Sequence, residues 1–127
     1  MKNVNSVKKG TFAGGHKPLE GAQVQAVANL FAVLSEESRL RILQLLQQGP
    51  ASVNTIAERT GLKQANASKQ LGILLSQGII ARRQEGNLAI YSIAMPLVFD
   101  LCNLVCSSLA DQAMQRAAEL APAVGRR

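Results

Sequence analysis

The stretch SVNTIAERTGLKQANASKQLGILLSQGII, residues 52–80, runs directly into ARRQEGNLAIYSI, residues 81–93. Ser52 has the hydroxyl that caps a first short helix carrying Val53, Ile56 and Ala57, and Gly61 supplies the left-handed residue that stops it. A second helix starts near Gln64. Its apolar positions Ala67, Leu71, Leu74 and Leu75 recur at helical spacing, which leaves Gln64, Asn66, Lys69 and Gln70 facing outward near its start. In the segment that follows, Arg82 and Arg83 stand on an outgoing strand, and Gly86-Asn87 offers the short turn that primed hairpins demand. Ala89, Tyr91 and Ile93 then alternate inward on the return. Helix, tight turn, helix and hairpin predict a winged helix-turn-helix, mainly α with a small β-hairpin.

The outward residues have the right chemistry for double-stranded DNA. The major groove of B-DNA admits one α-helix and displays base-pair identity there as donors and acceptors. Gln64, Asn66 and Gln70 are expected to read base edges, because Gln and Asn can pair with them bidentately. Lys63, Ser68, Lys69, Arg82 and Arg83 suit phosphate oxygens, which set register without carrying sequence information, and Asn87 stands with them at the tip of the hairpin.

Charge placement agrees. The chain of 127 residues carries a formal net charge of +6. Between positions 59 and 84 lie Arg59, Lys63, Lys69, Arg82 and Arg83 with no acid among them, whereas residues 97–120 carry Asp100, Asp111 and Glu119 against Arg116 alone. The cationic character therefore sits where a polyanion would dock. With 47% apolar residues, 3% aromatics and no Trp, the core must be aliphatic and finely packed. One domain is expected over residues 22–120, with a flexible basic arm over 1–21 and a tail over 121–127. Gly14-Gly15-His16-Lys17 lacks the spacing and the flanking strand and helix of a phosphate loop.

Flanking the central motif, Val24, Val27, Ala28, Leu30, Phe31 and Leu34 mark an amphipathic helix over residues 22–34. Ser35 is expected to cap the next one. Glu36 and Glu37 fall in its first turn, Leu40, Leu43 and Leu46 form its inner stripe, and Gly49-Pro50 ends it. Arg39 and Arg41 are expected to pair with Glu36 and Glu37 rather than to touch DNA. After Pro96, LVFDLCNLVCSSLADQAMQRAAEL is a long helix that is apolar on more than one face. Surplus apolar surface on a terminal helix argues for a partner, most simply a twofold homodimer that the first helix shares.

Taken in order, SEESRLRILQLL at 35–46, the stretch at 52–80 and RRQEGNLAIYSI at 82–93 resemble the ArsR/SmtB family of bacterial winged-helix repressors, over roughly residues 24–106. The resemblance implies a homodimer joined through its first and last helices, binding an inverted-repeat operator and released by an effector. Position by position, the family's base-reading stretch falls on Gln64, Ala65, Asn66, Ser68, Lys69 and Gln70, and its wing on residues 82–87. Lys63 stands where the family typically has a Ser-like cap, and Asn87-Leu88 replaces commonly basic wing-tip residues. The family's zinc sites do not carry over. Residues 52–60 contain no Cys or His, Asp100 is followed by Leu101 and Cys102, and no His occurs beyond His16. No metal and no cofactor are therefore expected.

Cys102 and Cys106 remain as effector candidates. They lie four residues apart and so on one helix face. In a dimer through that helix, four thiols could gather near the symmetry axis as a soft site for arsenite-like or copper(I)-like ions, or as a redox or persulfide switch, and some family members sense through last-helix cysteines. The competing reading is packing, since Cys behaves as a small apolar residue and Leu101, Leu104 and Val105 are its neighbours. A winged-helix protein-interaction module without effector sensing is the alternative function. An enzyme is not expected, because the single His16 lies in the arm and no nucleophile is placed beside a general base. With no export leader and no long apolar run, the protein is expected to be cytoplasmic, with no membrane partner.

Overall fold

A computed structural model of the chain describes residues 18–120. Residues 1–17 of the arm expected over 1–21, and the tail expected over 121–127, lie outside the described residues, and Gly21 already opens the first helix. In chain order the elements are α1 (Gly21–Leu34), α2 (Glu37–Leu46), β1 (Ala51–Ser52), α3 (Val53–Thr60), α4 (Gln64–Ser76), β2 (Ile80–Glu85), β3 (Leu88–Ile93) and α5 (Leu97–Leu120). The chain divides after Leu34 into two units. The first contributes α1, whose Val24, Val27 and Phe31 are exposed.

In the second unit the local signals act as the sequence predicts around α3. Ser52 Oγ accepts from the Thr55 backbone N–H at 3.3 Å, and Gly61 ends the helix at φ 80°. A side chain at that φ would be strained, so glycine sets the sharp exit that lets α4 start three residues later. α3 and α4 both pack on α2 and on each other. Ile42, Leu43 and Leu46 of α2, Ile56 of α3 and Ala67, Leu71 and Leu74 of α4 form the buried centre, closed by Ile79, Ile80 and Val98. Ala67 is fully buried, and its small side chain lets the start of α4 sit close to its neighbours.

The wing is built on one carbonyl. Ile79 O accepts from the backbone N–H groups of Ala94 and Met95, which brings the end of the hairpin back to its beginning before α5 starts. β2 and β3 are antiparallel with Arg82 opposite Tyr91 and Glu85 opposite Leu88, joined by Gly86-Asn87 with Gly86 at φ 61°. No helix among the described residues is long and apolar enough to cross a membrane.

Four expectations need correction. The sheet has three strands in the order β1-β3-β2, because Ala51 and Ser52 pair with Tyr91 and Ile90; two residues are too few to show a strand period. β3 is thus the central strand, and residues 89–93 are all half-buried instead of alternating. Glu36, not Ser35, caps α2, its carboxylate accepting from Arg39 N at 3.0 Å, which a helix N-terminus favours more than a hydroxyl does. The inner face of α2 runs through Ile42, Leu43 and Leu46, while Leu40 is 38% exposed; two stripes share the same helical spacing, and packing against α3 and α4 selects one.

Replacing Leu71 by Ala should therefore cost ~2–5 kcal/mol in urea unfolding, and Leu40→Ala well under half of that. Equal losses at the two sites would contradict this assignment of the core.

Candidate nucleic-acid interface

α4 has one face in the core and one in solvent. Lys63, Gln64, Ala65, Ser68 and Lys69 are exposed, and Asn66 is half-buried at the boundary. Lys63 occupies the N-cap with an extended backbone and no side-chain hydrogen bond to the helix. The first-turn N–H groups consequently carry no side-chain cap, beside two lysines and at the positive end of the helix dipole. Uncapped N–H groups and ammonium groups on one helix tip are the donors that phosphate oxygens accept.

Gln70 departs from the sequence reading. It is 7% exposed and does not face outward with the others. Position 70 lies three residues after buried Ala67 and four before buried Leu74, which puts it on the inner face despite its polarity. The buried amide is satisfied at both ends. Arg39 Nη1 donates to Gln70 Oε1 at 2.8 Å, and Gln70 Nε2 donates to Asn66 Oδ1 at 3.0 Å. Gln70 is thus removed from the base-reading set and joins α2 to α4 instead. The apolar stripe taken alone leaves Gln70 outward, but its own spacing from Ala67 and Leu74 is the signal that places it inside. Arg41 pairs with Glu37 as expected, whereas the Arg39 guanidinium reaches across to α4.

The wing places its cations on two faces. Arg82 and Arg83 are both exposed, but neighbouring residues on a strand point to opposite sides of the sheet. The side chains confirm the period: Arg82 Nη2 donates to Gln84 Oε1 at 3.4 Å, and Arg83 Nε donates to Glu85 Oε2 at 2.7 Å. The Arg83–Glu85 pair, which the sequence reading did not anticipate, is more than half exposed on both sides and holds its cation only weakly. Asn87 is exposed at the turn.

On α5 both cysteines are free thiols, Cys102 half-buried and Cys106 exposed. Burial pushes the Cys102 thiol above its ordinary pKa, because the thiolate loses solvation. Val98 is the only fully buried residue of the helix, and Leu97, Leu104, Val105, Leu109, Met114 and Leu120 are exposed. Among the described residues no three His, Cys, Asp or Glu side chains cluster closely enough to hold a metal ion.

A helix-turn-helix domain model matches residues 34–83, from the last residue of α1 into the first strand of the wing. An uncharacterised HTH-type transcriptional regulator of Mycobacterium tuberculosis is 38% identical over 94 residues, 73% of this chain and 82% of that protein. Among solved structures, the homodimeric winged helix-turn-helix DNA-binding domain of a possible ArsR-family regulator from Mycobacterium bovis matches with TM-score 0.66 and 32% identity. That match covers 78% of this chain and 94% of the other. The antimony-specific transcriptional repressor AntR matches with TM-score 0.71 and 29% identity, over 88% of this chain and 99% of its own.

In a Cys106→Ser variant, the rate at which iodoacetamide alkylates Cys102 should rise with pH to a midpoint above the ordinary thiol value, since only the thiolate reacts. A midpoint at the value of a cysteine in an unfolded peptide would contradict the burial of that thiol.

Proposed function

This chain belongs to the ArsR/SmtB-type family of winged helix-turn-helix transcriptional regulators, and on that footing we propose that it represses transcription as a homodimer on an inverted-repeat operator. The observation that carries this reading is the solvent face of α4, where Lys63, Gln64, Ser68 and Lys69 are exposed beside half-buried Asn66 while Ala67, Leu71 and Leu74 hold the opposite face in the core. Gln64 and Asn66 read base edges. Lys63, Ser68, Lys69, Arg82 and Arg83 take phosphates, with Asn87 at the wing tip. Residues 22–120 act as the DNA-binding and dimerisation domain, and the basic residues before them add charge.

Two observations support a homodimer. The exposed Val24, Val27 and Phe31 of α1 and Leu104, Val105, Leu109 and Met114 of α5 are apolar surface that a single copy leaves in water. The related domain from Mycobacterium bovis is homodimeric. Twofold symmetry places the reading helices in half-sites ~10 bp apart or a multiple of that spacing.

The effector is thiol-directed and acts at Cys102 and Cys106. Two free thiols one helical turn apart on α5 offer soft sulfur donors, and the structurally similar AntR is specific for antimony, a thiophilic element. The two cysteines of one copy leave a soft ion short of a full ligand set, which a symmetric dimer doubles. The protein acts in the cytoplasm, where such thiols stay reduced.

Binding to a duplex carrying the operator should weaken with salt. If the dimer neutralises ~6 phosphates, log K against log salt has a slope of about −5. Lys69→Ala should weaken all sequences alike and flatten that slope by about one per protomer, whereas Asn66→Ala should relax preference at one base pair of each half-site. A slope near zero, or the same effect of both variants on random DNA, would refute the assignment. For the effector, wild type and a Cys102→Ser/Cys106→Ser variant are titrated on operator DNA with antimonite, arsenite, copper(I), peroxide and polysulfide. Release of the wild type alone by at least one of these is the expected result, and identical responses to all five would eliminate the thiol switch.

A further inference from the structure

We infer that Arg39, acting through Gln70, sets which end of the Asn66 amide meets the DNA: the amino group, not the carbonyl. This rests on Asn66 reading a base, as proposed above, and it specifies which bases.

The argument starts from the donors and acceptors. A guanidinium carries five N–H donors and no acceptor, and it stays protonated at any pH a protein survives. Gln70 is buried, so neither end of its amide has bulk water to fall back on. Facing Arg39 Nη1 at 2.8 Å, it must present its carbonyl oxygen. Its amino group is then the end left for Asn66, one helical turn earlier, and an amino group requires an acceptor there. Asn66 must answer with Oδ1, at 3.0 Å. Reversing either amide would oppose N–H to N–H, with the inner one out of reach of solvent. The sense of the whole relay is dictated by the one member that has no lone pair to offer.

The consequence falls on Asn66. Its carbonyl is engaged inside the protein, and its Nδ2 has no acceptor among the described residues. The bidentate pairing of Asn with adenine requires a free carbonyl for the adenine N6 amino group together with a free amino group for N7. With the carbonyl turned inward, Nδ2 can still donate to adenine N7, but the adenine amino group beside it then meets no acceptor and is left unpaired. Guanine shows two acceptors, O6 and N7, and thymine shows O4; cytosine shows a donor. Asn66 in this chain is therefore a donor-only reader that favours guanine or thymine, and Gln70 and Arg39 are positioning residues for it.

Selection from random duplexes with wild type and Asn66→Ala first identifies the base position whose preference depends on residue 66. Competition binding with the four duplexes that differ there then gives the order. Wild type should favour guanine or thymine by about tenfold over adenine and cytosine. In Gln70→Glu the carboxylate accepts from Arg39 and also from Asn66 Nδ2, which turns Oδ1 outward, and preference should move to adenine or cytosine. Arg39→Met removes the group that sets the sense, lets both amides turn either way, and should flatten the order to within about twofold. Residues that only supported the fold would lower affinity for all four duplexes together.

A wild-type preference for adenine or cytosine overturns the relay, and so does an unchanged order in Gln70→Glu or a uniform fall. Should the buried carboxylate keep Gln70→Glu from folding, Arg39→Met decides the matter, and a retained tenfold preference there overturns the proposal. If Asn66→Ala alters no base preference, base reading by Asn66 fails and the relay fails with it. An altered preference in Asn66→Ala combined with an unchanged order in the other two variants removes the relay alone.

Discussion

The structure depends on the double obligation of α4. Its inner face must fill the aliphatic centre with Ala67, Leu71 and Leu74 against Ile42, Leu43, Leu46 and Ile56, because a core without Trp and with few aromatics has no large ring to fill gaps. Its outer face is then determined by the 3.6-residue period. Once Ala67 and Leu71 are inside, Ser68 and Lys69 are outside, while Gln64 is exposed because it is the first residue of the helix. The core and the reading surface are one constraint seen from two sides, and a shift of α4 by one residue would spoil both.

How much of this was legible follows from how local each signal is. The Ser52 cap and the Gly61 exit act within four residues of themselves, and both are where the sequence places them. The start of α4 has no such cap, since Lys63 makes no side-chain hydrogen bond there, and it follows from the Gly61 exit three residues earlier. Gln70 is ambiguous in the sequence because its residue type favours solvent while its position favours the core. Its burial is tolerable only because Arg39, 31 residues earlier, reaches it. Pairings over that distance leave no periodic trace. Strand β1 was invisible for another reason: two residues pair with β3 only because the chain returns there after the hairpin. Leu40 and Ile42 could not be ranked from sequence, since the inner stripe of α2 is chosen by what packs on it.

The electrostatics reduce to a difference between the tip of α4 and the wing. At the tip the lysines are unopposed by any acid between residues 59 and 84, and the helix dipole adds to them. On the wing Arg83 has an acidic partner, Glu85, two residues along the same strand. An exposed pair of this kind is worth ~0–1 kcal/mol, so a phosphate can replace the carboxylate at little cost, though the repulsion between Glu85 and the DNA remains. Arg82 and Arg83 also face opposite sides of the sheet, which limits how many of the wing's cations can serve one groove. In the proposed complex with DNA this balance assigns most of the phosphate contact to α4 and an accessory role to the wing.

α5 carries a gradient of burial along one face, and the thiol-directed regulation proposed above rests on it. Val98, Cys102 and Cys106 succeed one another at four-residue steps, buried, half-buried and exposed in turn. The thiols therefore sit where the helix leaves the core of its own unit, at the boundary between the part anchored by Val98 and the part whose apolar side chains remain in water. In the proposed homodimer that outer part is held by the second copy, so chemistry at the thiols acts where intramolecular and intersubunit packing meet. An effector there changes DNA affinity only by the difference in its own binding to the two arrangements of the dimer. Linkage then requires operator DNA to weaken the effector by the same factor.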